Sequence, residues 1–170
     1  MEPGQDPPKT EGDTHRQVPP DGMRRRFLLD SNVYDRLVET PERQRMAIEA
    51  HDLGRIELLI THVQVDELME DAGKRGRTLA IPATITETYG FVLDVSRLGL
   101  ARFGEPKELD RIDSAGRKHR KDALLAVTAR HEGAVLVTDD RRPQNFASRD
   151  GIEVWNSDRF VNEGLMEYIP

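Results

Sequence analysis

Three short apolar runs, FLL at 27–29, IELLIT at 56–61 and AVLVT at 134–138, are separated by stretches whose apolar residues recur at helical spacing. A strand buried on both faces reads as a near-continuous apolar run, whereas a strand with one wet face alternates. Strands of the first kind, interleaved with helices, belong to a parallel sheet covered on both sides, so the expected class is α/β. The helical stretches carry their own punctuation. Ser31 or Asn32 opens a helix after FLLD, and Pro41 stands at a first helical position with Met46, Ala47, Ala50 and Leu53 behind it, up to Gly54. Thr61 and Gln64 form a T-x-x-Q capping box ahead of Val65, Leu68, Met69 and Ala72. DALLAVTARHEG then reads as a helix ending at Gly133, IEVWN as a last strand, and SDRFVNEGL as a last helix capped by Ser157. Between Gly73 and Gly116 the pattern loosens, and only Phe91 to Val95 reads as a strand.

The length of 170 residues, with 36% hydrophobic and 33% charged content, suits one soluble domain with a modest core. No apolar run approaches the roughly 18 residues of a membrane span, and the first residues lack the order of a secretory signal, so a cytoplasmic location without membrane contact is expected. The absence of cysteine excludes a disulfide framework and thiolate metal sites. Any metal must be held by carboxylates or histidines, which favours hard cations. Half of the net charge of -6 comes from residues 1–22, where five acids face two bases and five prolines. That segment has almost no large apolar side chain, so residues 1–22 are expected to be a disordered extension and residues 23–170 the folded domain.

Open parallel sheets bind ligands outside the carboxyl ends of their strands. Asp30 directly follows FLL, Glu67 lies in the helix after IELLIT, and Asp139 and Asp140 follow AVLVT. Asp122 stands in the helix before that last strand, with Leu125, Ala126 and Ala129 along its face, where a lone carboxylate is costly. Each acid has a plain alternative. Asp30 suits a helix cap, Glu67 belongs to an acidic face with Asp66, Glu70 and Asp71, Asp122 can pair with Lys118, and Asp139 and Asp140 suit a turn before Arg141. Taken together, converging carboxylates repel one another, and the remedies are a cationic side chain or a divalent cation. No lysine or arginine lies beside the apolar parts of these stretches, so Mg²⁺ or Mn²⁺ is expected. Such an ion polarises a phosphodiester and lowers the pKa of water, which points to metal-dependent phosphodiester hydrolysis.

LLDSNVY (28–34), VDEL (65–68), KDALLAVTA (121–129) and LVTDD (136–140), in that order, resemble the motifs of the PIN-domain ribonucleases, particularly the toxin nucleases of prokaryotic toxin–antitoxin pairs. The motifs cover nearly all of residues 26–162. The resemblance implies a PIN-like fold, with a central parallel sheet flanked by helices on both faces. It implies endoribonuclease activity on RNA with Mg²⁺ or Mn²⁺ held by Asp30, Glu67, Asp122 and Asp140, and products with 5′-phosphate and 3′-hydroxyl ends. A cognate antitoxin protein is the implied partner, and a homodimer is compatible with it. Asp122 and Asp140 are 18 positions apart, similar to the family's helix, glycine turn and strand ending in T-x-D, which makes Asp140 the closer match and Asp139 the alternate. Asn32 and Thr138 are expected to orient waters or ligands behind the acids.

Arg117, Lys118, Arg120 and Lys121 precede Asp122, and Arg141 and Arg142 follow Asp140, well placed to hold RNA phosphates. Without the first 22 residues the chain carries -3, and neutralising the four acids leaves +1, so a metal-loaded domain need not repel RNA. His62 and His119 have no visible partner and stay outside the expected site. Trp155 and Phe146 read as core or sheet-edge packing rather than base-stacking platforms. Residues 73–116 match no part of the family pattern. Two rivals remain: a catalytically silent PIN-like module that binds RNA or protein, and a phospho-acceptor receiver-like domain. The latter needs an acid pair after the first strand, where this chain has Asp30 followed by Ser31.

Overall fold

Phe27, Leu28 and Leu29 are wholly buried in the computed structural model, which describes residues 24–75 and 80–166. The expected disorder of residues 1–22 lies outside the described residues. The three leucine and phenylalanine side chains belong to β1 (Arg25–Leu29), the central strand. It pairs in parallel with β2 (Ile56–Thr61) on one side and with β6 (Val135–Val137) on the other. Beyond these, β3 (Thr84–Thr86) and β7 (Val154–Trp155) form the edges of a five-stranded sheet in the order β3-β2-β1-β6-β7, parallel throughout. Side chains alternate across a strand. Phe27 and Leu29 accordingly enter one core layer while Leu28 enters the other.

The first layer packs α1 (Ser31–Glu39), α2 (Pro41–Asp52) and α3 (His62–Arg75) against the sheet. Phe160 joins it from a π-helical stretch, Phe160–Leu165, that continues a short α7 (Ser157–Arg159). The second layer packs α5 (Arg120–His131) and α6 (Arg141–Arg149) through Leu125, Ala126, Ala129 and Ala147. Helices thus cover both faces of a parallel sheet, the α/β arrangement that the apolar runs imply. No helix among the described residues is long and apolar enough to cross a membrane.

Several local expectations change. Phe91 to Val95 is a turn, closed by the Val95 and Ser96 amides donating to the Val92 carbonyl oxygen at 3.0 and 2.7 Å. Ser96 Oγ accepts from the Val92 amide at 3.0 Å, and Leu93 is 87% exposed, so the apolar run has no sheet to join. The strands of this region are β3 and a separate parallel pair, β4 (Thr88–Tyr89) with β5 (Ala101–Arg102), followed by α4 (Pro106–Ser114). The last helix is capped by Asn156, whose Oδ1 accepts from the Arg159 amide at 2.7 Å, and Ser157 is instead buried one position later. Helix α6 had no sequence signal because only Pro143 and Ala147 among its residues are buried. Trp155 is core as expected, packed on Phe27 with ring centroids 5.4 Å apart.

The chain re-enters the described region beside Tyr34. Its hydroxyl donates to the Ile81 carbonyl oxygen at 2.9 Å and accepts from the Ile81 amide at 2.7 Å. Ile81 is buried and its backbone groups have no other partner among the described residues, so Tyr34→Phe should destabilise the protein by about 1–3 kcal/mol in chemical denaturation. A loss well below that range would show that water replaces the hydroxyl.

Candidate active site

In a sheet ordered β3-β2-β1-β6-β7 the chain moves outward in both directions from β1, so the switch point falls between β1 and β6. Asp30 stands at the carboxyl end of β1 and Asp140 just beyond that of β6. Glu67 is carried by α3, which follows β2, on the other side of β1. Asp122 lies in the first turn of α5, where the helix dipole favours a carboxylate. The acids of four segments are brought to the same end of three adjacent strands.

Thr138 is the hub. It is wholly buried, and its hydroxyl donates to Asp30 Oδ2 at 2.6 Å while accepting from the Asp140 amide at 3.1 Å. The other Asp30 oxygen accepts from the Ser31 amide at 2.8 Å, so Asp30 caps α1 and faces the site with the same side chain. Ser31 Oγ donates to Glu67 Oε2 at 3.0 Å, which links the first two acids through a residue whose sequence signature is that of a helix start. Asp140 is exposed at the start of α6 and makes no capping bond with its side chain. Asp139 is committed elsewhere: its Oδ1 accepts from the Ser157 amide at 3.0 Å and its Oδ2 lies 3.1 Å from Arg36 Nη1.

Burial pushes the Asp30 carboxyl above its ordinary pKa, and the charges of Glu67 and Asp122 push it further, against the hydrogen bonds from Thr138 and Ser31. Asp122 is raised by burial, then by Asp140, and less by Glu67, while His119 and Arg142 oppose the rise. Asp30 therefore feels the charges of Glu67 and Asp122, and Asp122 those of Asp140 and Glu67.

The expectation that no cationic side chain serves these acids is corrected. Lys121 Nζ lies 2.8 Å from Glu67 Oε1, a contact between residues 54 positions apart that sequence periodicity could not reveal. Asp122 faces His119, with Nδ1 3.7 Å from Oδ2, rather than Lys118. Among the described residues no three acidic or histidine side chains are gathered as a formed metal cage. The donor chemistry nevertheless suits a hard cation, and Asn32 Oδ1, in the first turn of α1, is a buried oxygen with no hydrogen-bond partner. An exposed ion pair such as Lys121–Glu67 is worth only about 0–1 kcal/mol, so a divalent cation can displace it cheaply.

The basic residues divide into two sets. Arg117 pairs with Asp94, Arg120 with Asp113, and Lys121 with Glu67. Lys118, Arg141 and Arg142 are exposed, and none of them joins an ion pair among the described residues. His62 is structural: its Nε2 lies 3.3 Å from both the Val95 carbonyl oxygen and the Arg97 amide, fastening the loop to α3.

No protein-family profile matches the chain, and no curated protein sequence is detectably similar. Among solved structures, FitAcB from Neisseria gonorrhoeae is similar at 18% identity and a TM-score of 0.43, covering 77% of this chain and 97% of that one. VapBC2 from Rickettsia felis, bound to a DNA fragment from its promoter, is similar at 14% identity and a TM-score of 0.44, covering 77% and 98%. Likenesses at this level carry no argument about the chemistry of the chain.

A carboxyl whose pKa is raised on folding favours the folded state when protonated, so its contribution to stability falls as pH rises through and above the ordinary carboxylate range. Asp30→Asn should therefore melt higher than the wild type at pH 7, and the gap should close as pH falls below about 4. A gap that stayed constant between these pH values would mean that charge is not its cause.

Proposed function

We propose that the protein is a metal-dependent endoribonuclease with a PIN-like fold. The observation that carries this reading is that Asp30, Glu67, Asp122 and Asp140 stand at the same end of three adjacent parallel strands around the switch point, where burial first, and the neighbouring acid charges after it, raise the pKa of Asp30 and Asp122. Acids at that place repel one another, and a cation is the general remedy. The motif resemblance supplies RNA as the substrate class, a toxin role and a cognate antitoxin as protein partner.

Asp30, Glu67, Asp122 and Asp140 would hold Mg²⁺ or Mn²⁺, which supplies Lewis-acid polarisation of the phosphodiester and a more acidic attacking water when bound. The protein's own contribution is orientation. Thr138 fixes one Asp30 oxygen and positions the start of α6 through the Asp140 amide, and Ser31 steadies Glu67. Asn32, whose buried amide oxygen has no hydrogen-bond partner, would orient a water at the first turn of α1. Lys118, Arg141 and Arg142 are free to take backbone phosphates, whereas Arg117 and Arg120 are held by acids of their own. Lys121 is held by Glu67 and would be free for phosphate only if that pair were broken.

The occupied Lys121–Glu67 pair favours one other reading, a silent module of the same fold that binds RNA or protein without cutting. Cleavage of single-stranded RNA in Mg²⁺ or Mn²⁺ separates the two. The wild type should produce fragments with 5′-phosphate ends, and Asp30→Asn should lose at least a hundredfold of that activity while keeping its fold. Equal cleavage by the two proteins removes Asp30 from the mechanism, and no cleavage by either leaves the binding module.

A further inference from the structure

Beside Asp122 lies a pocket of about 190 Å³ lined by His119, Arg142, Asn145, Phe146 and Arg149. Arg142, Asn145, Phe146 and Arg149 follow one face of α6, at the i, i+3, i+4 and i+7 spacing that aligns side chains along a helix. His119 lines the pocket and also has its Nδ1 3.7 Å from Asp122 Oδ2, so the pocket and the acids share a wall. Neither Arg142 nor Arg149 is locked in an ion-pair contact among the described residues, and Asp150, next to Arg149, is held 3.0 Å from Arg111. Phe146 is half-buried: it packs against the layer of Leu125, Ala126 and Ala129 and against a further cluster that includes Val92, Ile112 and Leu124, and it also lines the pocket.

The chemistry of this lining is specific. A ring face takes a flat apolar partner, an amide both donates and accepts at an edge, and two free guanidinium groups hold phosphate oxygens. The volume is below the roughly 300–1,000 Å³ of pockets that enclose whole ligands, so it suits one flat ring with its charged remainder outside. Bases in a duplex are stacked and cannot enter, which selects single-stranded substrate.

We propose that this pocket is a nucleotide subsite beside the acid cluster. It takes one unstacked nucleobase of a single-stranded RNA against Phe146, with the base edge read by Asn145 and the adjoining phosphate held by Arg142 and Arg149. The proposal rests on the reading of the acid cluster as a ribonuclease site, and it gives Phe146 a role beyond packing.

The test measures affinity apart from cleavage. Binding of a short fluorescein-labelled single-stranded RNA is followed in Mg²⁺ on an Asp30→Asn parent, with the RNA checked for integrity afterwards. Adding Phe146→Leu, which keeps an apolar packer and removes the ring face, should raise Kd by about fivefold or more, the loss of one base stack. Adding Asn145→Ala, at an exposed position, should flatten the preference among single-base homopolymers. Unchanged binding in both would overturn the proposal, as would the absence of RNA binding by the parent. If only Arg149→Gln weakens binding, and inorganic phosphate competes for the same sites as effectively as RNA, the pocket is an anion site and the proposal fails. Should Phe146→Leu not fold, Asn145→Ala decides. Altered binding with no cleavage by the wild type sinks the ribonuclease reading and keeps the subsite, whereas cleavage with unaltered binding does the reverse.

Discussion

One hydrogen bond, from the Thr138 hydroxyl to Asp30, ties the ends of the two strands on either side of the switch point. Because Thr138 is wholly buried and also accepts from the Asp140 amide, the same hydroxyl fixes the direction in which the chain leaves β6 and starts α6. Gln144 donates back to the Thr138 carbonyl oxygen at 2.9 Å, closing that turn. The position of the acids relative to one another, and of the α6 pocket relative to the acids, follows from this joint. A carboxylate desolvated in such a place is tolerated only where fixed donors reach it, and Asp30 has donors on both oxygens.

The acids at the strand ends were legible because a parallel sheet imposes a simple grammar: apolar run, then the residues that reach the ligand edge. FLL followed by Asp30 and AVLVT followed by Asp139 and Asp140 show it directly. The resemblance and the 18-position interval favour Asp140 over Asp139; what the residues alone do not show is the physical reason, since Ser157 and Arg36 are brought to Asp139 only by folding. Lys121 illustrates the same limit. Its charge was visible in a basic run, but its contact with Glu67 joins α5 to α3 across the edge of the sheet.

The stretch from Gly73 to Gly116 resisted reading for a different reason. Among its described residues, 80–116, the strands are two or three residues long, too short for a periodic signal, and Leu93, Leu98 and Phe103 are largely exposed. Polar contacts fasten it, Ser96 closing the turn at Val92 and His62 lying against the backbone at Val95 and Arg97 from 33 and 35 positions away, alongside the buried side chains of Val92 and Ile112. Helix α6 escaped notice because its conspicuous side chains are arginines and amides rather than a buried stripe. Those same residues form the pocket beside Asp122, so the part of the sequence with the weakest folding signal carries the most specific surface chemistry.

The central claim is that four carboxylates act as one electrostatic unit that a divalent cation relieves. A ligand that binds only the folded state raises the melting temperature, and a cation shared by the four acids must lose affinity when one is neutralised. Thermal unfolding of the wild type and of Asp122→Asn, each with and without saturating MgCl₂ or MnCl₂, measures this directly. The wild type should gain a few degrees and Asp122→Asn clearly less. Equal gains in the two proteins would place the cation away from Asp122 and contradict the assignment.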